Sequence, residues 1–166
     1  MRIRPYLPNK DYECVASWLG DEKVHAFWCA GLLPYPVTAE AFHALLEKNA
    51  KLWTDSAYVA TADDGQVIGF FCYSVNPEDN TGFLKFIIVD NTKRGKGYGK
   101  EMLALAQQYA FQITGAEAVQ LNVFAENAPA KHCYEKAGFV ERSLDRNAFA
   151  YKGELWSRYN MIAFRR

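Results

Sequence analysis

Cysteine is sparse in this chain and poorly spaced for chemistry. Cys14, Cys29, Cys72 and Cys133 fit neither a redox C-x-x-C pair nor a zinc-ligand pattern, so they read as free thiols of a reducing compartment and no metal is expected. Surplus charge of either sign is also missing, since lysine plus arginine and aspartate plus glutamate both number 19. A nucleic-acid binder usually carries a basic excess, and that class is set aside. The opening Met1-Arg2-Ile3-Arg4-Pro5 lacks the apolar run of a signal peptide. No stretch has the length and apolarity of a membrane span. A cytoplasmic protein without a membrane partner is expected. What the chain does have is apolar mass. Half of its 166 residues are hydrophobic, enough for a single domain, residues 1–166, with a substantial core.

The hydrophobic pattern changes period along the chain. Arg2-Ile3-Arg4 alternates like an edge strand. Asp11 is positioned to cap a helix through Leu19, with Tyr12, Val15, Ala16 and Leu19 on one face. Residues 25–36, rich in aromatics, glycine and proline, read as a loop or short helix. Thr38 caps a clearer helix, Ala39–Trp53. Ala57–Ala62 and Val67–Val75 read as strands joined at Asp63-Asp64-Gly65, and a second turn over 76–80 leads into Phe83–Val89. That third strand is apolar except for Lys85, as a central strand buried on both faces would be. A long helix from Gly97 to Thr114 is closed by Gly115. Val119–Phe124 as a strand, Ala128–Ala137 as a helix and the strands Phe139–Arg142 and Leu155–Phe164 complete the order. The order predicts an α/β (α+β) domain: a mixed, mostly antiparallel sheet with helices on both faces.

The densest chemistry lies where the central strand hands over to the long helix, in Arg94-Gly95-Lys96-Gly97-Tyr98-Gly99-Lys100. Glycine permits positive φ and close backbone approach, and successive N–H groups then converge into an anion nest. The helix start contributes roughly half a positive charge. Lys93, Arg94, Lys96 and Lys100 form a local basic patch in a neutral chain, which points to one small anionic ligand, a diphosphate above all. The run is not the Walker G-x-x-x-x-G-K-[ST]. Nor is it the dinucleotide G-x-G-x-x-G near the start of a βαβ unit. Taken alone, the loop is equally readable as a solvated tight turn.

The residues Arg94 to Gly99 match [RQ]-x-x-G-x-[GA], and in that respect the chain resembles the GCN5-related N-acetyltransferase (GNAT) family, which also has a valine where Val89 stands. A second block, Leu121-Asn122-Val123-Phe124-Ala125-Glu126-Asn127 followed by Tyr134-Glu135-Lys136-Ala137-Gly138-Phe139, resembles that family's strand–Asn–helix–Tyr block. The resemblance covers nearly the whole chain in element order. It implies a GNAT-like fold and acetyl-coenzyme A as acetyl donor. The pyrophosphate would lie on the backbone of Gly95 to Lys100, with Arg94, Lys96, Tyr98 and Gly99 in that loop. The pantetheine arm would lie along Ile87, Ile88 and Val89. Asn127 would touch the cofactor, and Tyr134 would stand by the thioester sulfur. The same block makes Asn127 an N-cap of the following helix, and the two roles are compatible.

The family resemblance implies transfer to a primary amine, of a small molecule or a peptide N-terminus. Some members of the family carry a glutamate base where this chain has Asn122, which takes no proton. Glu126, Asp90 and His25 stand as alternatives for that role. The acceptor pocket is expected from Phe27, Trp28 and Tyr35 on one side, Trp156 on the other, and Asn122. The missing carboxylate keeps a non-catalytic acyl-coenzyme A binding module open as an alternative. A homodimer, joined through sheet edges or C-terminal strands, is also expected from the resemblance.

Overall fold

The computed structural model describes residues 1–165. The elements, in order, are β1 (Arg2–Pro5), α1 (Pro8–Ser17), α2 (Glu22–Cys29), α3 (Ala39–Trp53), β2 (Ser56–Thr61), β3 (Val67–Asn76), β4 (Thr81–Val89), α4 (Tyr98–Gln108), β5 (Ala118–Phe124), α5 (Ala128–Lys136), β6 (Val140–Tyr151) and β7 (Glu154–Phe164). The seven strands form one sheet ordered β1-β2-β3-β4-β5-β7-β6. Only β4 and β5 run parallel; every other neighbouring pair is antiparallel. The apolar strand carrying Lys85 is the middle one of the seven, as its composition predicts. No helix among the described residues is long and apolar enough to cross a membrane.

Each face of the sheet buries its own apolar layer. Val15 of α1, Trp28 of α2 and Phe42 of α3 close over Val59, Phe70, Cys72 and Ile88 on one face. Met102, Leu103 and Ala106 of α4 and Tyr134 of α5 close over Ile68, Leu84, Val119 and Leu121 on the other. A smaller third cluster joins Ala26, Phe124 and Trp156, with Phe27 and Phe149 packed around them. Burying such side chains contributes about 1.5–3 kcal/mol each, so these layers, rather than helix propensity, hold the helices in position.

Three details differ from the sequence reading, and a fourth decides between the loop and the short helix it left open for residues 25–36. Helix α1 begins at Pro8, and Asp11 lies inside it, fully buried. Its carboxylate takes the Arg4 guanidinium at 2.7 and 2.8 Å and reaches back to the Leu7 N–H at 2.8 Å. Asp11 therefore ties β1 to α1 rather than starting the helix. Within the aromatic segment a defined helix, α2, forms, capped by Asp21 through the Val24 N–H at 2.9 Å. The long helix turns π-helical over Tyr109–Ile113 before Gly115 ends it with φ +72°. Finally, β6 runs on to Tyr151 instead of stopping at Arg142. It is an edge strand, mostly exposed, whose irregular register around Asn147 (φ +52°) removes the alternation that marks strands in sequence.

Candidate active site

Strands β4 and β5 part company halfway along. They are paired only from Thr81–Ala118 to Leu84–Leu121. Beyond that, Lys85–Val89 follows β3 while Asn122–Phe124 follows β7. The two facing backbone edges are left without a strand partner on the splayed side. The divergence begins at a bulge: Phe86 has φ +52°, and the β3–β4 register shifts between Phe70 and Cys72. The Trp28 indole pins that bulge, donating to the Phe86 carbonyl at 2.8 Å with its ring 5.4 Å from the Phe86 ring. Ile87, Ile88 and Val89 then supply an open strand edge that a peptide-like ligand arm can pair with.

The glycine loop caps this opening. Asp90 turns the chain by accepting from the Thr92 N–H and hydroxyl at 2.9 and 2.8 Å. Gly97, at φ +85°, is the N-cap of α4 and offers no side-chain cap. The first helical bond is Glu101 N–H to Gly97 O at 3.1 Å, so the N–H groups of Tyr98, Gly99 and Lys100 have no helical acceptor. Gly99 serves a different purpose. A Cβ there would stand 3.0 Å from Cys133 Sγ and 3.8 Å from Val89 Cγ2, so its bareness lets α4 touch α5 and β4. Arg94, Lys96 and Lys100 are exposed and make no ion pair among the described residues, whereas Lys93 is held by Gln66 at 2.7 Å. The loop therefore combines orphaned N–H donors with unneutralised cations, the requirements of a polyphosphate site.

Helix α5 brings the second block to the same region. Asn127 stands at its N-cap position but makes no side-chain capping bond. Pro129 removes one of the usual N–H targets, so the cap read from the sequence is not formed and the amide is free for other partners. Tyr134 is buried in the cluster that includes Val123, with Ile87 and Val89 packed against it. Its hydroxyl bonds to no described residue. It is not one of the two sealed, partnerless side-chain atoms of the described residues, so it reaches solvent. Burial, with a smaller effect of Cys133, raises the Tyr134 phenol above its ordinary range and keeps it protonated. Burial also pushes the Cys133 thiol up, which leaves no activated thiolate beside the loop.

The residues expected around the acceptor divide into several environments. Trp28 is buried in the core under α3 and acts on the bulge. Trp156 is fully buried at the centre of an aromatic cluster, its N–H donating to Glu154 at 2.7 Å, with the Phe27 ring tilted 30° against it at 4.6 Å. Tyr35 lies against His25 and donates to the Gly20 carbonyl at 2.6 Å. Asn122 is exposed on β5 beside the parting of the strands. Of the alternative bases, Asp90 is spent on its turn, and burial lowers the His25 pKa next to Cys29. Glu126 is exposed and accepts weakly from Ser157 N–H at 3.4 Å. Two features went unread in the sequence: the Trp28–Phe86 bond and Asn160, which lies opposite Asn122 on β7. Neither belongs to a motif, so only the folded register brings them into view.

Residues 15–139 match the model of the Acetyltransferase (GNAT) family. The chain belongs to that family. It is 30% identical over 155 residues to the mycothiol acetyltransferase of Saccharomonospora viridis, covering 87% of this chain and 47% of that protein. It is 31% identical over 109 residues to the mycothiol acetyltransferase of Rhodococcus opacus, covering 61% and 35% respectively. The chain thus spans less than half the length of these relatives. The solved spermidine N-acetyltransferase of Vibrio cholerae, in complex with CoA and spermine, superimposes with a TM-score of 0.83 over 98% of this chain and 94% of that one, at 21% identity. The family resemblance and the mixed fold read from the sequence both hold.

Proposed function

We propose that this chain is an acetyl-coenzyme A-dependent N-acetyltransferase acting on a primary amine by direct attack. One observation carries the reading: the strand edge of Ile87–Val89, freed where β4 leaves β5, runs straight into a loop of orphaned N–H groups and unpaired cations. An amide-bearing arm joined to a diphosphate fits that sequence of groups. Ile87–Val89 would pair with the arm, Gly95 to Lys100 would hold the diphosphate, and Asn127 would add its free amide. Bound acetyl-coenzyme A supplies a thioester whose carbonyl carbon forms the C–N bond as the C–S bond breaks.

In this reading Tyr134 donates a hydrogen bond to the departing sulfur. A thiol has a pKa of about 8.5 and a free tyrosine about 10, and burial raises Tyr134 further. Full proton transfer from the phenol would be uphill by more than about 2 kcal/mol. Tyr134 therefore stabilises the thiolate as a donor and solvent supplies its proton. The nitrogen loses its proton to water, because Asn122 accepts none. A lysine-like amine, with a pKa of about 10.4, is far less often neutral at pH 7 than an α-amine near about 7.8, so low-pKa acceptors are favoured. A homodimer is part of the same reading, with the exposed edge strand β6 available for pairing. The test is amine-dependent release of coenzyme A thiol across an amine panel. Donor binding without release for any amine would favour a non-catalytic binding module instead.

A further inference from the structure

Helix α2 is tied to three other parts of the chain. Trp28 donates to the Phe86 carbonyl at the β4 bulge. On the hairpin side, Phe27 packs on Trp156 and Glu22 pairs with Lys152, at the tip between β6 and β7. His25 faces the segment that leaves the helix. The chain turns back there through Ala30 at φ +49° and Gly31 at φ +75°, and Pro34 and Tyr35 return beside His25.

His25 is 4% exposed, and Cys29, one turn later, is 1% exposed. The imidazole lies 3.6 Å from Cys29 Sγ, hydrogen-bonds to the Pro34 backbone and meets the Tyr35 ring edge-on, 5.3 Å between centroids. Proline has no N–H, so the imidazole is the donor to the Pro34 carbonyl. The Cys29 sulfur takes the N–H groups of Gly31, Leu32 and Leu33, but burial outweighs them and keeps the thiol protonated.

This niche suits a neutral ring, whose single N–H goes to Pro34. An imidazolium has a second N–H, and the niche offers it a thiol, a weak acceptor. Every charged group around it is engaged elsewhere. On α2 itself, Asp21 caps the helix through the Val24 N–H and Glu22 is taken by Lys152. On the returning segment, Tyr35 is neutral and its hydroxyl donates to the Gly20 carbonyl. From the hairpin comes only the cation of Lys152. His25 makes no ion pair among the described residues. Burial accordingly lowers its pKa, against smaller opposing effects of the Pro34 carbonyl and Glu22.

We infer that His25 is an acid-sensitive latch: its protonation frees residues 30–36 and the last turn of α2, and with them the Trp28 pin on the β4 bulge. The link from the bulge to the cofactor rests on the acetyltransferase reading above. An exposed histidine titrates near about 6.5. The opened segment therefore binds a proton that the closed one refuses, so closure weakens as pH falls below about 6.5 and is unaffected above it.

The test is hydrogen exchange of the α2 amides, referred to the intrinsic rate at each pH. Between pH 7.5 and 5.5, protection of α2 in the unaltered chain is expected to fall about five- to tenfold, the reach of one proton over that interval. Protection of α4, on the other face, is expected to hold. His25→Gln keeps a donor for Pro34 and does not titrate, so its α2 protection is expected to be independent of pH. NMR titration of His25 in the unaltered chain gives a second readout, with an expected midpoint below 6.5. Acetyl-coenzyme A at pH 5.5 is expected to restore α2 protection, since a ligand that needs the pinned bulge also favours the closed latch. Constant α2 protection, an equal fall in α4 or in His25→Gln, or a His25 midpoint at or above 6.5 overturns the latch. Donor binding that leaves α2 unprotected overturns its link to the cofactor strand. Failure of the donor to bind at either pH overturns the acetyltransferase reading, which the donor-free exchange does not depend on.

Discussion

The indole N–H of Trp28 lies 2.8 Å from the carbonyl oxygen of Phe86 and holds the one residue of β4 with positive φ. A helix on one face of the sheet thereby sets the bulge from which the freed edge of β4 departs. Trp28→Phe keeps an aromatic ring and removes the donor. A buried carbonyl left unpaired costs about 1–3 kcal/mol. Lower stability is expected together with weaker acetyl-coenzyme A binding. Trp18→Phe, in the same buried cluster but without a bond to β4, is expected to lower stability without weakening the donor. Chemical denaturation and calorimetry on the two variants separate these effects, and equal loss of binding in both would refute the pinning role.

For Tyr134→Phe, turnover is expected to fall about 10- to 100-fold, since a hydrogen bond to a charged group contributes about 1.5–3 kcal/mol. Donor affinity is expected to change little. Single-turnover kinetics beside donor titration checks this. Unchanged turnover would remove the hydroxyl from the chemistry.

The pH profile follows from the same residue. Burial disfavours the phenolate, so Tyr134 stays a donor well above the ordinary tyrosine pKa of about 10. With a low-pKa acceptor, kcat/KM is expected to climb as the amine deprotonates and then level. No alkaline limb is expected below about pH 10. A descending limb centred near pH 8 to 9 in the unaltered chain, absent from Tyr134→Phe, would contradict the assignment.

Much of this arrangement was legible before folding, because strong local constraints wrote it into short runs. Gly97 needs positive φ, Gly99 needs no Cβ, and Tyr134 comes inside a marked helix. The central position of β4 followed from its apolar run. Trp28 looked like a pocket aromatic because composition does not say which way an indole points. Asn127 looked like a helix cap, but Pro129 removes a target for its side chain. The extension of β6 was hidden by Leu144-Asp145-Arg146-Asn147, exposed throughout and broken by a bulge. Asn160 carried no sequence signal, since its meaning comes from the residue opposite it on another strand.

Stability against acid is expected to depend on Asp11. Burial alone would raise its pKa, but the Arg4 fork and the Leu7 N–H outweigh that and hold it below the usual carboxylate range. A depressed folded pKa stabilises the native state above the unfolded value of about 3.9, and the contribution is lost as pH falls through the folded value. Arg4→Met leaves the buried carboxylate uncompensated and is expected to cost about 3 kcal/mol at pH 7. The loss relative to the unaltered chain is expected to shrink as pH drops below about 4. Urea unfolding at both pH values checks it, and a pH-independent loss would contradict the ion-pair account.

The central claim is that the glycine loop and the freed edge of β4 hold acetyl-coenzyme A. Calorimetric titration of the purified chain with acetyl-coenzyme A, beside ATP and NAD, tests it most directly. Saturable micromolar binding of acetyl-coenzyme A alone is expected. Gly97→Glu is expected to abolish it, because that residue sits at φ +85° and the new carboxylate would meet the diphosphate. No binding, equal binding of ATP or NAD, or undiminished binding by Gly97→Glu would contradict the account.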